Sequence, residues 1–288
     1  MAKTSRLDMA VLERGLLPSR QAAQAAIMDG GVLVNGQKVT KPGTPVKADA
    51  KIELTSSWQG AKYVSRGGFK LERALSVFNL DPAGRTCLDV GASTGGFTDC
   101  LLKHGASLVY AIDVGYGQLD WGLRQDERVV VMERTNARHL SVAELYRADD
   151  IPRANMLVAD LSFISLRKVL PHCATFLVQA PTSDIVALIK PQFEAGRENV
   201  GKGGVVRGKE THIDVLSTTI ADLAKQGMQV QAITHSPIKG PAGNIEFLGH
   251  WKLAEQAVVV NINDIVEQAH RELKSAQTEV ESAQDPII

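Results

Sequence analysis

Cysteine is scarce in this 288-residue chain: Cys87, Cys100 and Cys173 are the only three, and they lie far apart. Without paired spacing they make neither a zinc cluster nor a disulfide framework, so three buried thiols and no metal are expected. Long apolar runs are lacking as well. No segment approaches the roughly 20 apolar residues that span a bilayer. The first eight residues, Met1 to Asp8, are charged and have no apolar stretch of the kind a secretory signal needs. A cytoplasmic protein with no membrane partner is the expectation. Net charge is the third absence, with 32 basic side chains against 32 acidic.

What is present is the composition of a globular protein: 44% hydrophobic and 22% charged residues, enough apolar content for a sizeable core and too much for disorder throughout. The length suits two domains. The neutral sum also conceals an uneven distribution. Residues 1–73 carry 12 Lys or Arg against 6 Asp or Glu, a balance of +6 that the remainder offsets with −6. A basic end suits nucleic acid, and solubility alone explains it equally well.

A short helix is predicted over residues 6–15, ended by Gly15. Ser19 then caps a helix over Arg20–Asp29, where Ala22, Ala23, Ala26 and Ile27 form one apolar face before Gly30-Gly31. Val32-Leu33-Val34 and Gln37-Lys38-Val39 flank Asn35-Gly36, a strong hairpin signal because both residues tolerate positive φ. Lys51–Thr55 reads as another strand. Arg6, Arg14, Arg20, Lys38 and Lys41 could present cations to RNA phosphates from this unit. The stretches Arg6-Leu7-Asp8, Ser19-Arg20-Gln21-Ala22 and Gly30 to Gly36 resemble the RNA-binding module named after ribosomal protein S-four, over about a fifth of the chain.

Residues 56–60, Ser-Ser-Trp-Gln-Gly, break both periodicities and read as a linker, placing an S-four-like domain at 1–60. A second domain at 61–275 shows strand-like runs at Thr86–Val90, Leu108–Asp113, Val129–Met132, Met156–Ala159, Ile185–Ile189 and Val230–Ile233, alternating with helical patterns. That alternation predicts an α/β, Rossmann-like domain with a parallel sheet. A last helix is expected near Asp264–Gln277, with 276–288 as a polar, disordered tail.

Within the second domain, Leu88-Asp89-Val90-Gly91-Ala92-Ser93-Thr94-Gly95-Gly96-Phe97 is a strand, a glycine-rich turn and a helix start. Glycines let backbone approach a ligand closely, and a helix N-terminus favours negative charge. Asp113 ends the next strand about 20 residues on, where an acid can bind ribose hydroxyls. The turn residues Gly91, Ser93, Thr94, Gly95, Gly96 and Phe97, with Asp113, therefore suit a nucleoside cofactor. Dinucleotide dehydrogenases share these features. Asp89 would repel a pyrophosphate yet could bind the amino group of a methionine moiety, and the glycine spacing departs from the dinucleotide fingerprint; both favour S-adenosylmethionine. Asn136 could contact the adenine amine or merely stabilise a turn.

Lys70, Asp160, Lys190 and Glu246 taken singly read as a solvated strand end, a cap or surface charges. Together, Asp160 and Lys190 end two strands and converge at the carboxyl edge of a sheet, where ligands bind in open α/β folds. Here the resemblance becomes specific. Ser65 to Leu71, Asp89 to Thr98, Asp160 to Leu166, Ile189 to Glu194 and Asn244 to Phe247 resemble the TlyA family, which joins the S-four-like module to an FtsJ-like methyltransferase domain. The resemblance implies 2′-O-methylation of cytidines in ribosomal RNA, of the large subunit and in some members the small. It also implies a Lys-Asp-Lys-Glu tetrad, mapped by motif onto Lys70, Asp160, Lys190 and Glu246.

A ribose hydroxyl is a weak nucleophile, so such an enzyme must align the reactants and accept a proton. Lys190 is the candidate acceptor, with Lys70 as the cation that would favour its neutral form, Asp160 orienting it, and Glu246 positioning Lys70 or the ribose. Arg66, with Lys62 and Arg73, could guide RNA or form an ordinary basic face. Gly201–Arg207 reads as a flexible covering loop and is no P-loop. Rival readings are a noncatalytic RNA-binding assembly factor, a membrane-active hemolysin and a nicotinamide-dependent dehydrogenase.

Overall fold

The computed structural model describes residues 4–17, 19–28, 30–55, 62–146, 152–179, 182–253 and 256–282. The stretch read as a linker, the end of the second predicted helix and the final residues from 283 lie outside them.

The N-terminal module opens with β1 (Thr4–Arg6), α1 (Leu7–Glu13) and α2 (Arg20–Met28). Ser19 Oγ accepts from the Ala22 backbone N–H at 3.1 Å, as an N-cap should. Three short strands follow, β2 (Val32–Val34), β3 (Gln37–Lys38) and β4 (Pro45–Lys47), and then β5 (Ile52–Leu54). The Asn35-Gly36 turn joins β2 to β3, and β2 also pairs antiparallel with β5. One pairing has no counterpart in the sequence reading: β1 lies antiparallel to β4. Leu7, Val11, Ala23, Ala26, Ile27, Val32 and Ile52 form a separate small core here.

Helix α3 (Gly67–Phe78) leads into β6 (Thr86–Val90), α4 (Gly96–Lys103), β7 (Leu108–Ile112), α5 (Trp121–Gln125), β8 (Val129–Met132) and α6 (Val142–Leu145). The chain then crosses back to β9 (Met156–Ala159), α7 (Leu170–Ala174), β10 (Asp184–Ile189) and α8 (Pro191–Glu194). It closes with α9 (Lys209–Ala224), β11 (Met228–His235), β12 (Phe247–Leu253) and α10 (Ile262–Ser282). The seven-stranded sheet has the order β11-β12-β10-β9-β6-β7-β8. All neighbours from β10 to β8 are parallel, while β12 runs antiparallel to β10 and β11.

The sheet is thus mixed at one side, where the sequence reading expects parallel strands and has no strand over 247–253. Helix α10 continues to Ser282, beyond the predicted end at Gln277 and into the stretch read as tail. Helices α3, α4 and α5 pack one face of the sheet, and α7, α9 and α10 the other. The three cysteines are free and buried within these layers. Among the described residues no helix is long and apolar enough to cross a membrane.

Candidate active site

Strand order reverses between β6, which leads to β7, and β9, which starts the other half. At that switch point Asp160 N donates to Val90 O at 3.1 Å, bringing the glycine turn and the Asp160 loop side by side. Gly91 sits there with φ +89°, and a Cβ on it would lie 2.5 Å from the Asp160 carbonyl oxygen. Only glycine permits that approach.

Two adjoining cavities open at this edge. One, about 490 Å³, is lined by Asp113, Asn136, Leu161, Phe163, Val169 and the Gly91 turn. The other, about 310 Å³, is lined by Lys70, Lys190, Arg66, Thr94, Gly96 and Phe97. Gly91, Ser93, Asp160 and Ser162 border both. Asp113 holds the turn in place, its two carboxylate oxygens accepting from Ser93 N at 2.7 Å and Gly115 N at 2.6 Å. Asn136 lines the larger cavity and also accepts from Arg138 N at 3.1 Å, so it makes its own turn as well.

Two residues predicted to bind the cofactor are in the lining of neither cavity. Gly95 backs onto Leu119 and Leu123. Asp89 is fully buried beneath the turn, where Thr98 Oγ1 donates to its Oδ2 at 2.7 Å and Oδ1 has no partner. Burial pushes its carboxyl up to about 7. Asp89 thus ties α4 to β6, and it is in the lining of neither cavity.

The structure brings the four polar candidates together in two pairs. Lys70 Nζ on α3 donates to Glu246 Oε2 at 2.6 Å, and both side chains are buried. Lys190 Nζ forms an ion pair with Asp160 Oδ1 at 2.6 Å and donates to Ser162 Oγ at 2.8 Å. Sheet register explains the convergence. Ile189 pairs with Phe247 across β10 and β12, so Lys190, just after one strand, and Glu246, just before the antiparallel other, occupy the same edge. Gly240 leaves room for Glu246, since a Cβ there would stand 2.4 Å from Oε1. Lys70 is thus seated by Glu246, the charged partner of Lys190 is Asp160, and both lysines line the smaller cavity.

The basic residues divide. Arg6 and Arg20 converge on buried Asp8, each at 3.0 Å, leaving both guanidinium groups about half exposed. Arg14 donates to Ala50 O at 2.6 Å and Ala48 O at 2.9 Å, so it braces backbone. Lys38 and Lys41 are exposed. Arg66 donates to Lys239 O at 3.1 Å and lines the smaller cavity. Lys62 pairs with Glu72.

Three residues escaped the sequence reading. Ser162 bonds Lys190, Thr98 bonds Asp89, and Phe163 lies 92% exposed with φ +66° at the mouth of the larger cavity. The Ser and Phe stood in the Asp160 motif, and only that placement hinted at them. Gly201–Arg207 is no loose loop: Gly201 and Val205 form a bridge, and Asn244 accepts from Val206 N and donates to Gly204 O, both at 2.9 Å.

A seven-stranded α/β sheet with a glycine turn at its switch point and polar pairs beside it defines a Rossmann-like fold with its ligand site at the carboxyl edge of the strands. Residues 63–253 match the FtsJ-like methyltransferase model and residues 5–52 the S4 domain model. The chain belongs to the FtsJ-like methyltransferase family. It is 46% identical over 285 residues to YqxC of Bacillus subtilis, provisionally named an rRNA methyltransferase, covering 97% of this chain and 99% of that one. It is 41% identical over 271 residues to the 16S/23S rRNA (cytidine-2′-O)-methyltransferase TlyA of Mycobacterium tuberculosis, covering 94% and 98%. A solved structure from Streptococcus thermophilus, carrying a provisional hemolysin name, superposes with a TM-score of 0.74 at 41% identity over 96% of this chain and 100% of that chain.

Proposed function

We propose that this chain transfers a methyl group from S-adenosylmethionine to the ribose 2′-hydroxyl of cytidine in ribosomal RNA. The observation that carries the reading is the gathering of Lys190, Asp160 and Lys70 around the smaller cavity, with Glu246 seating Lys70 and Asp160 also bordering the larger cavity. The larger cavity fits the nucleoside part of the donor: Asp113 suits the ribose, Asn136 the adenine edge, and Leu161 and Val169 supply apolar walls. Ser93, Thr94, Gly96 and Phe97 would hold the methionine part. When bound, the donor supplies an activated methyl on a positively charged sulfur.

The chain's own residues do the rest. Lys190 is placed to take the hydroxyl proton in its neutral amine form, which nearby positive charge, from Lys70 or the donor's sulfur, would favour, and it is oriented by Asp160 and Ser162. Glu246 holds Lys70 so that its ammonium can steady the ribose oxygen. Phe163 offers an exposed ring face on which a base can stack. The substrate class rests on the names of the relatives and on the S4 domain, whose Arg6, Arg20, Lys38 and Lys41 would contact phosphates and set register. Work on ribosomal RNA would place the protein in the cytoplasm.

The test is transfer of radiolabelled methyl to unmodified ribosomal RNA and to assembled subunits, with the product mapped. Lys190→Ala should lower kcat by about a hundredfold or more and leave donor affinity within about twofold. Undiminished transfer by the variant removes Lys190 from the mechanism. No transfer by the wild type to any RNA form would leave a noncatalytic RNA-binding factor.

A further inference from the structure

One residue lining the smaller cavity comes from the S4 module. Met28, the last residue of α2, borders the same space as Lys70, Asp160 and Lys190, while every other residue of the lining falls within 65–241. Met28 has no place in its own module's core. Ala23, Ala26 and Ile27 of α2 are buried there, and Met28, one residue on and about 100° round the helix, is not among them. It is half-buried all the same, and Ile238 and Pro241 of the connection between β11 and β12 line the cavity with it.

Both contributors are braced. Gly30 N donates to Ile27 O at 3.0 Å and Gly31 N to Ala26 O at 2.8 Å, closing α2 directly after Met28. Gln24 Nε2 donates to Asp8 Oδ2 at 2.8 Å, and the same carboxylate holds Arg6 and Arg20. In the connection, Ser236 N donates to Glu246 O at 2.8 Å and Gly240 N to Asn244 O at 2.9 Å, so its ends are fastened beside the acid that seats Lys70. A held helix therefore runs from Arg20, a proposed phosphate contact, to Met28 at the cavity, over a rise of about 12 Å.

We propose that Met28 is a positioning residue for the acceptor. Its thioether, with Ile238 and Pro241, forms the apolar part of the wall against which the target ribose rests while Lys190 takes the hydroxyl proton. The polar residues of the cavity address the hydroxyl groups, whereas the carbon-hydrogen face of a sugar calls for apolar contact, and an unbranched, polarizable side chain adapts to it. Alignment of this kind lowers the barrier without any new chemical group. The inference rests on the RNA-methylation reading above and extends it: the S4 module both anchors the RNA and completes the acceptor cavity, and α2 fixes the separation between the anchored phosphate and the reacting ribose.

Two measurements on the full chain test this. In Met28→Ala, kcat for unmodified ribosomal RNA should fall by about tenfold, while equilibrium RNA affinity, dominated by phosphate contacts, stays within about twofold and affinity for S-adenosylmethionine is unchanged. Met28→Leu, of similar volume, should restore kcat. An unchanged kcat, a larger loss of RNA affinity, a loss of donor affinity or a failure of Met28→Leu to restore turnover would each overturn the positioning role. The second measurement needs no transfer. Met28→Cys combined with Pro241→Cys should be joined by a short bismaleimide and found as a linked peptide by mass spectrometry, with the three native cysteines buried and out of reach. Absence of the link would show that α2 does not reach the cavity. If the wild type transfers no methyl, the positioning role falls with the proposed function, while the link still decides whether the S4 module walls this cavity.

Discussion

Asp89 shows how far one side chain's setting can depart from its chemistry in water. Its burial raises the carboxyl to about 7, against the Thr98 hydroxyl that favours the charged form, with Asp160 and Asp113 adding repulsion. Because the folded value exceeds the unfolded one, near 3.9, the unfolded chain releases this proton first. The associated stability is complete below about pH 4, falls as pH rises, and is gone above about 7. Asp89→Asn, neutral and of the same size, should remove a slope worth a few kcal/mol over that window. Urea titrations of both proteins at pH 4 to 8 measure it; equal slopes would show that Asp89 titrates like an exposed acid. The residue was legible in the sequence as an acid before a glycine turn, but its depth was not. Every position of β6 is buried, so no alternation reveals which way a side chain points. Phe163 was hidden for the opposite reason, since nothing in the identity of an apolar residue announces exposure.

Elements pack through contacts with their own pH response. His212 on α9 and His270 on α10 meet at 2.9 Å in the interior, near Phe247 and beside the Lys209–Glu267 ion pair. Burial first, and the neighbouring imidazole second, push His212 down to about 4. Here the unfolded chain takes up the proton first, so stability is lost as pH falls from about 6.5 towards 4. This opposes the Asp89 slope, and a local probe is needed. The protection factors of α10 amides, which allow for the intrinsic slowing of exchange towards acid, should fall between pH 7 and 5 more than those of β6, and His212→Gln should flatten the difference. The parallel strands were readable because continuous apolar runs alternate with helical periods. Strand β12 was not, since Gly249 and His250 interrupt Phe247–Leu253 and one of its two partners, β10, lies far back in the chain. The Gly201–Arg207 turn looked loose from its glycines alone, because the clasp comes from Asn244 about 40 residues on.

Across the whole molecule, the excess of basic residues lies in the N-terminal quarter, and packing sorts those cations. Arg14 is engaged by backbone carbonyls, Arg6 and Arg20 are shared with Asp8, and Lys38 and Lys41 stand exposed. Replacing Lys38 and Lys41 together by Ala should weaken RNA binding and make the plot of log affinity against log salt shallower by about 1 to 2. Arg14→Ala should chiefly lower the melting temperature. Filter binding between 50 and 300 mM salt, a range chosen to span roughly the physiological value, and thermal melts check the two. The charge imbalance was visible in the sequence; the division between braced and available cations required the packing of β1, α1 and α2.

The reversed strand β12 also sets an order in time. Proteins are made and begin to fold from the N-terminus, so the S4 module and the glycine turn exist well before residue 246 is added. Until β12 pairs with β10, no acid seats Lys70. A growing chain can therefore cling to RNA long before it can alkylate it, and a message cut short before Glu246 would encode a binder that never matures into a catalyst.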